Sequence, residues 1–168
     1  TFPKGESHVV IDAYDRGSHI EIIPEIEMPS HSEEVLAAYP ELGCSGEAYQ
    51  ESDFCVGNEE VFNFLETVLD EVMEVFPSEY IHIGGDEAGK QHWKTCPKCQ
   101  KRMQEEGLKD VDALQSYMIK RMARYVESKG RKVIGWDEIL DGGLAEGAAV
   151  MSWRGTEGGI AAMNMGHD

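Results

Sequence analysis

Short apolar runs alternate with longer amphipathic ones along this chain. "HIEIIPEI" (19 to 26), "YIHIGG" (80 to 85), "RKVIGW" (131 to 136) and "AAVMSW" (148 to 153) are brief and apolar, and each is closed by Gly, Pro, Ser or an acid. That is how buried parallel strands read. Between the first two, residues 58 to 76 place Val61, Leu65, Val68, Leu69, Val72 and Phe76 on one helical face. Asn58 suits the N-cap, Glu59 and Glu60 suit the positive end of the helix dipole, and Pro77 stops the run. Residues 112 to 128 repeat the pattern with Leu114, Tyr117, Met118, Met122, Tyr125 and Val126; Asp112 with Gln115 reads as a capping box, and Gly130 ends the segment. A shorter helix is predicted to start near Ser32. The stretch "DEILDGGLAEG" has room for only a turn or two.

This order implies an α/β fold: a parallel sheet with helices outside. Four such strands suit either an open sheet or part of a (β/α)8 barrel. The strand C-termini carry Glu25, Glu27 and His31, then Asp86 and Glu87, then Trp136, Asp137 and Glu138, then Trp153 and Arg154. Barrel enzymes build their sites at that rim, from the ends of several strands. An open sheet concentrates its ligand at one switch point, often with a glycine-rich phosphate loop. "GGD" and "DGG" match no such loop, so the barrel is favoured. The chain shows no internal repeat and no low-complexity segment.

With 168 residues the chain is long enough for one domain with a real core. Its net charge of −17, from 32 acids against 15 bases, argues against nucleic acid or an anionic membrane as partner. No apolar run approaches the roughly 20 residues of a membrane helix. The chain starts at Thr1 with no visible leader, so both ends read as cut from a longer protein. Among the four cysteines, Cys44 and Cys55 flank a polar loop and are expected to close it as a disulfide, as an oxidising compartment allows. Cys96 and Cys99 form "CPKC", half of a zinc pattern without an evident second half. It reads as a tight turn, with its thiols free or bridged.

The stretch "HIGGDEAGKQHW" (82 to 93) sets Asp86 and Glu87 side by side after two glycines. A helix N-cap is one reading. Chemistry is the other: the glycines let backbone approach a ligand closely, and the other strand ends supply Trp or His. Carboxylates with aromatic walls suit a sugar. Each acid raises the other's pKa, so one can stay protonated while the other stays ionised, as glycosidic cleavage requires. His31 either caps the helix behind it or pairs with Glu27. His82 reads as a core histidine with a hydrogen-bond partner, His92 and Trp93 as structural or rim residues. Asp137 and Glu138 read as helix caps, and Arg154 as half of a structural ion pair.

Taken together, "IEIIPEIEMPSHSEEVLAAYPEL", "YIHIGGDEA", "VIGWDEIL" and "MSWRG" resemble the family 20 glycoside hydrolases, the β-N-acetylhexosaminidases, from about residue 19 to 168. The resemblance implies a partial (β/α)8 TIM barrel, roughly strands three to six with their helices, residues 1–168 being one catalytic domain truncated at both ends. It implies that Glu87 is the general acid and that Asp86 orients and charge-stabilises the substrate's 2-acetamido group. In this family, a substrate-assisted exception to the two-carboxylate rule, the acetamido oxygen attacks the anomeric carbon. Water then opens the oxazolinium-type intermediate with retention, Glu87 acting as base. Trp136 and Trp153 match walls of the sugar pocket, His31 matches the site histidine, and Glu27 supports it. No cofactor and no metal are implied. The implied partner is a glycan or glycoconjugate ending in N-acetylglucosamine or N-acetylgalactosamine, met in the periplasm, outside the cell or in a lysosome.

The family usually reads Asp-Met-Pro-Gly-His where this chain has Glu27-Met28-Pro29-Ser30-His31, which keeps the histidine. The first two barrel strands and the last two, which bring further sugar contacts, are not in this sequence. Half a barrel leaves open strand edges, so self-association is expected. It also lacks much of the sugar grip, so weak or no hydrolysis by this piece alone is expected. Two other classes compete: a carbohydrate-binding remnant without catalysis, and a metal-dependent barrel hydrolase using His31, His82 and acids. The latter would usually show closely spaced histidines such as HxH, and none occurs.

Overall fold

The computed structural model describes residues 21–168. Three strands, β1 (Tyr80–His82), β2 (Lys132–Trp136) and β3 (Ala149–Met151), form a parallel sheet in the order β1-β2-β3. Of the first expected strand, Glu25 forms an isolated parallel bridge to His82, with Ile26 N–H donating to His82 O and His82 N–H to Pro24 O, both at 2.9 Å. Residues 19 and 20 of that expectation lie outside the described residues. Neighbours in the sheet follow chain order without reversal, so the described strands contain no switch point of the open-sheet kind.

Helices α1 (Glu33–Ala38), α2 (Glu59–Val75), α3 (Pro97–Glu105), α4 (Val111–Ser128) and α5 (Glu157–Asn164) fill the connections. The α2 stripe is real but rotated: Val61, Phe62, Leu65 and Leu69 are buried, while Val68, Val72 and Phe76 are half-buried. Asn58 caps it as expected, its side chain accepting from Glu60 N–H. Helix α4 buries Leu114, Met118, Ile119, Met122 and Val126 and packs on α2 and β2.

Its expected capping box is not formed. Asp110 is the cap, accepting from Ala113 N–H at 2.8 Å. Asp112 instead pairs with Lys90 Nζ at 2.7 Å, and Gln115 turns inward. Helix α3 was not expected from hydrophobic period, because only Cys99 on it is buried. Pro97 at its first position starts it, with a fixed backbone angle and no N–H to leave unpaired. Glu59, at the head of α2, accepts from Arg102 of α3 at 2.7 Å and from Arg121 of α4. The Arg121 hydrogen bonds draw its carboxyl down to about 2, so the three helix faces share one ionised clamp.

The expected Cys44–Cys55 disulfide is not formed: all four cysteines are free. The Cys55 sulfur lies 3.7 Å from those of Cys96 and Cys99, and Cys44 lies 3.7 Å from Cys99. The fold brings together two pairs that looked separate, so Cys55 has several sulfur neighbours rather than one bonded partner. Among the described residues, no helix is long and apolar enough to cross a membrane.

Candidate active site

The turn after β1 carries Asp86 and Glu87, and the segment after the Glu25 bridge carries His31. Both lie at the C-terminal ends of the parallel strands. His31 Nε2 sits 3.3 Å from Asp86 Oδ2 and 3.3 Å from Glu87 Oε2. The adjacent acids converge on this nitrogen but differ in exposure, the Asp86 side chain being 15% exposed and that of Glu87 56%. His31 and Glu87 both adopt left-handed backbone, φ 53° and 49°. For residues with a Cβ this conformation is disfavoured, and it persists only where the surroundings enforce it.

Four contacts hold the acid-bearing turn. Trp136 N–H donates to Gly84 O at 2.8 Å, and the Gln115 amide donates to Gly85 O at 2.7 Å. The buried Asp53 carboxylate accepts from Gly89 N–H at 3.3 Å and from Lys90 N–H at 2.7 Å. Local sequence pattern marks neither Asp53 nor the inward contact of Gln115. Each is a buried polar residue that meets a backbone group far along the chain, and no local motif marks such a contact.

The two glycines leave room for protein side chains at the turn. A Cβ at Gly84 would meet Glu27 Oε2 at 2.1 Å, and one at Gly85 would meet Ile139 Cγ2 at 2.4 Å. Glu27 therefore lies against the turn. Burial, with the carboxylates of Asp86 and Glu25 nearby, pushes its pKa up to about 7. Its Oε2 has no hydrogen-bond partner among the described residues. The expected Glu27–His31 pair is not a direct contact, since the acids touching His31 are Asp86 and Glu87. Desolvation lowers the His31 pKa, but Asp86, Glu27 and Glu87 outweigh it and hold the imidazole above its ordinary value.

The other strand ends are braced by acids of their own. Trp136 Nε1 donates to Glu25 Oε1 at 2.8 Å, and its ring lies 4.8 Å from that of His82. His82 is a buried core histidine, as expected, with Nδ1 3.1 Å from Glu25 Oε1 and its pKa lowered by burial. Trp153 is half exposed and donates to Glu138 Oε2 at 3.0 Å. Arg154 pairs with Asp137 at 3.2 Å, the expected structural ion pair. Asp137 and Glu138 are thus braces for Arg154 and Trp153, beyond their place in a short 3-10 turn. Trp93 is fully buried, and its Nε1 donates to Phe54 O at 2.9 Å. The site thus unites His31, Asp86 and Glu87 directly, with Glu27 behind them. Trp136 and Trp153 stand on neighbouring strand ends.

His31, Asp86 and Glu87 are close enough to share a metal ion. His82, the second histidine of the metal reading, faces Glu25 instead. What the three groups offer as they stand is a partly exposed acid, a shielded acid and an imidazole between them, a set able to exchange protons and to steady charge.

The description "Glycosyl hydrolase family 20, catalytic domain" matches residues 5–168. The chain belongs to this family. It is 52% identical over 163 residues to a β-hexosaminidase of Porphyromonas gingivalis, covering 92% of this chain and 21% of that protein. A β-hexosaminidase of Vibrio furnissii is 33% identical, over 95% of this chain and 28% of its own length. The crystal structure of a Bacteroides fragilis β-N-acetylhexosaminidase superposes with a TM-score of 0.82 at 38% identity, covering 88% of this chain and 32% of that one. The chain therefore spans about a fifth to a third of these family 20 relatives. Its α/β architecture with a parallel sheet agrees with theirs.

Proposed function

We propose that the protein containing this chain is a retaining exo-glycosidase that releases terminal β-linked N-acetylhexosamine from glycans or glycoconjugates. The contact of His31 with both Asp86 and Glu87 at the strand rim carries this reading. Glu87, the more exposed acid, protonates the glycosidic oxygen and later takes a proton from water. Asp86, shielded and beside His31, orients the 2-acetamido group and steadies the charge of the oxazolinium-type intermediate. Trp136 and Trp153 wall the terminal sugar, and Glu27 supports the turn. Family membership and the names of the relatives support the substrate class.

In this reading residues 1–168 are part of one (β/α)8 barrel domain and supply about strands three to six. The isolated piece lacks the remaining sugar contacts and hydrolyses weakly or not at all. It also self-associates, because Met151, Ile160 and Met163 stay exposed on β3 and α5; a clean monomer in light scattering would overturn that. A periplasmic, secreted or lysosomal location belongs to the same proposal, now without support from a disulfide.

The test uses the full-length protein and two chromogenic β-glycosides that differ only in 2-acetamido versus 2-hydroxyl. Turnover of the acetamido sugar alone, with a β-configured first product by NMR, is expected. Equal turnover of both would mean that an enzyme carboxylate is the nucleophile and would sink the mechanism. Binding without turnover of either would favour a carbohydrate-binding remnant.

A further inference from the structure

Away from the acid rim, the fold gathers all four cysteines of the chain into one cluster. Cys44 and Cys55 come from the loop between α1 and α2, Cys96 caps α3, and Cys99 lies in its first turn. Three of the four are buried. Their sulfurs all lie within 4.8 Å of one another, and three of the separations are 3.7 Å. A disulfide needs about 2.0 Å. Four thiolates around zinc at about 2.3 Å stand at the corners of a tetrahedron with edges of about 3.8 Å. The observed spacing fits the tetrahedron and is too tight for an iron–sulfur cage, which holds its cysteines further apart. "CPKC" therefore has its missing half, supplied by Cys44 and Cys55.

The backbone around the cluster is built for close approach. A Cβ at Gly57 would fall 2.1 Å from the Lys98 carbonyl carbon and 2.3 Å from Cys99 N, so the loop lies directly on the start of α3. The helix N-terminus and Lys98 offset negative charge on the sulfurs.

We propose that Cys44, Cys55, Cys96 and Cys99 bind one structural Zn2+ ion, a site separate from the glycosidase chemistry and contrary to the expectation of a chain without metal. Zinc binding releases the thiol protons to solvent and changes no oxidation state. Its mechanical effect reaches the acid rim through two residues beside Cys55. Phe54 N–H donates to Pro29 O at 2.9 Å, steadying the segment that leads to His31. Asp53 holds the Gly89 and Lys90 amides. A fourfold sulfur anchor thus fixes the loop that buttresses both halves of the site.

The test is elemental analysis of the full-length protein purified without chelator, with mass spectrometry of its thiols. About one zinc per chain with all four cysteines alkylatable after denaturation is expected. Cobalt-substituted protein should show the intense visible bands of a tetrahedral thiolate site. Cys44→Ser, at the least buried ligand, should lose its zinc on dialysis while the purified wild type keeps it. Wild-type protein with two disulfides and no metal would overturn the proposal, and so would stoichiometric iron in place of zinc. Both wild-type measurements decide the matter even where the variant fails to fold, and neither depends on glycosidase activity.

Discussion

The acid rim and the cysteine cluster are both gathered from distant parts of the chain, yet they solve opposite problems. At the rim, Asp86 and Glu87 crowd His31 with Glu27 close behind, and Glu25 adds a further like charge beside Glu27. Glu27 Oε2 and Asp86 Oδ1 are buried without hydrogen-bond partners among the described residues. Two site residues hold left-handed backbone. Such an arrangement costs stability and leaves groups ready for a substrate. In the cysteine cluster the sulfurs face inward and meet each other, leaving nothing ready for substrate. One region spends stability on reactivity; the other supplies rigidity. Asp53, two residues from Cys55, joins them.

The sharpest way to separate the two is Glu87→Gln in the full-length protein. A fall in kcat of about 100- to 10,000-fold is expected, largest for substrates with poor leaving groups, with the melting temperature nearly unchanged. A wild-type rate would remove Glu87 from its role. Gly84→Ala should act on the fold instead, by about 2 kcal/mol or more. The residue would sit at φ 63° with its Cβ against Glu27 Oε2, and chemical denaturation measures the loss. Asp53→Ala tests the link. Leaving the Gly89 and Lys90 amides unpaired should cost about 1–3 kcal/mol and lower kcat as well. If stability falls and kcat holds, the loop does not position the acids.

The smallest expected effect is a pH dependence. Glu27 is raised from 4.5 to about 7 on folding. Its charged form is therefore disfavoured in the native state, and wild-type stability should decline as pH rises through that window. Glu27→Gln removes the penalty, so its melting temperature relative to wild type should climb between those pH values and then level off. His31 acts in the same direction on wild type. Its raised pKa gives stability that is full below 6.5 and is lost as pH rises through the folded value. NMR titration should find the His31 imidazole above its usual value, falling when Asp86 is replaced by Asn.

The regular elements were legible wherever hydrophobic period carried them. The strands at 80, 132 and 149 and the helices α2 and α4 lie where apolar spacing places them, because each helix turns an apolar stripe inward and each strand carries buried apolar residues. Helix α3 is illegible by that signal, since Cys99 is its one fully buried residue and Met103 the only other apolar side chain after Pro97. The motif residues His31, Asp86 and Glu87 were legible as a group, but their braces were not. By local spacing Gln115 suits half of a capping box, and no local pattern marks Asp53. Their partners are backbone groups 30 and 36 residues away, and chain-local patterns do not encode such contacts. The cysteines failed for the same reason: the contacts that unite them span 41 to 55 residues.

The Asp53 carboxylate has a further consequence for the turn it grips. Residues 83 to 90 contain no regular secondary structure, and such a stretch is ordinarily where amide protons trade with solvent fastest. Here the Lys90 N–H ends on a buried carboxylate at 2.7 Å, and the Ile83 N–H donates to Ile134 O at 3.0 Å. In deuterated water the Ile83 and Lys90 amides should keep their protons on the timescale of the helices behind them. The acids between these two pinned ends would then be held in place without a loop having to close.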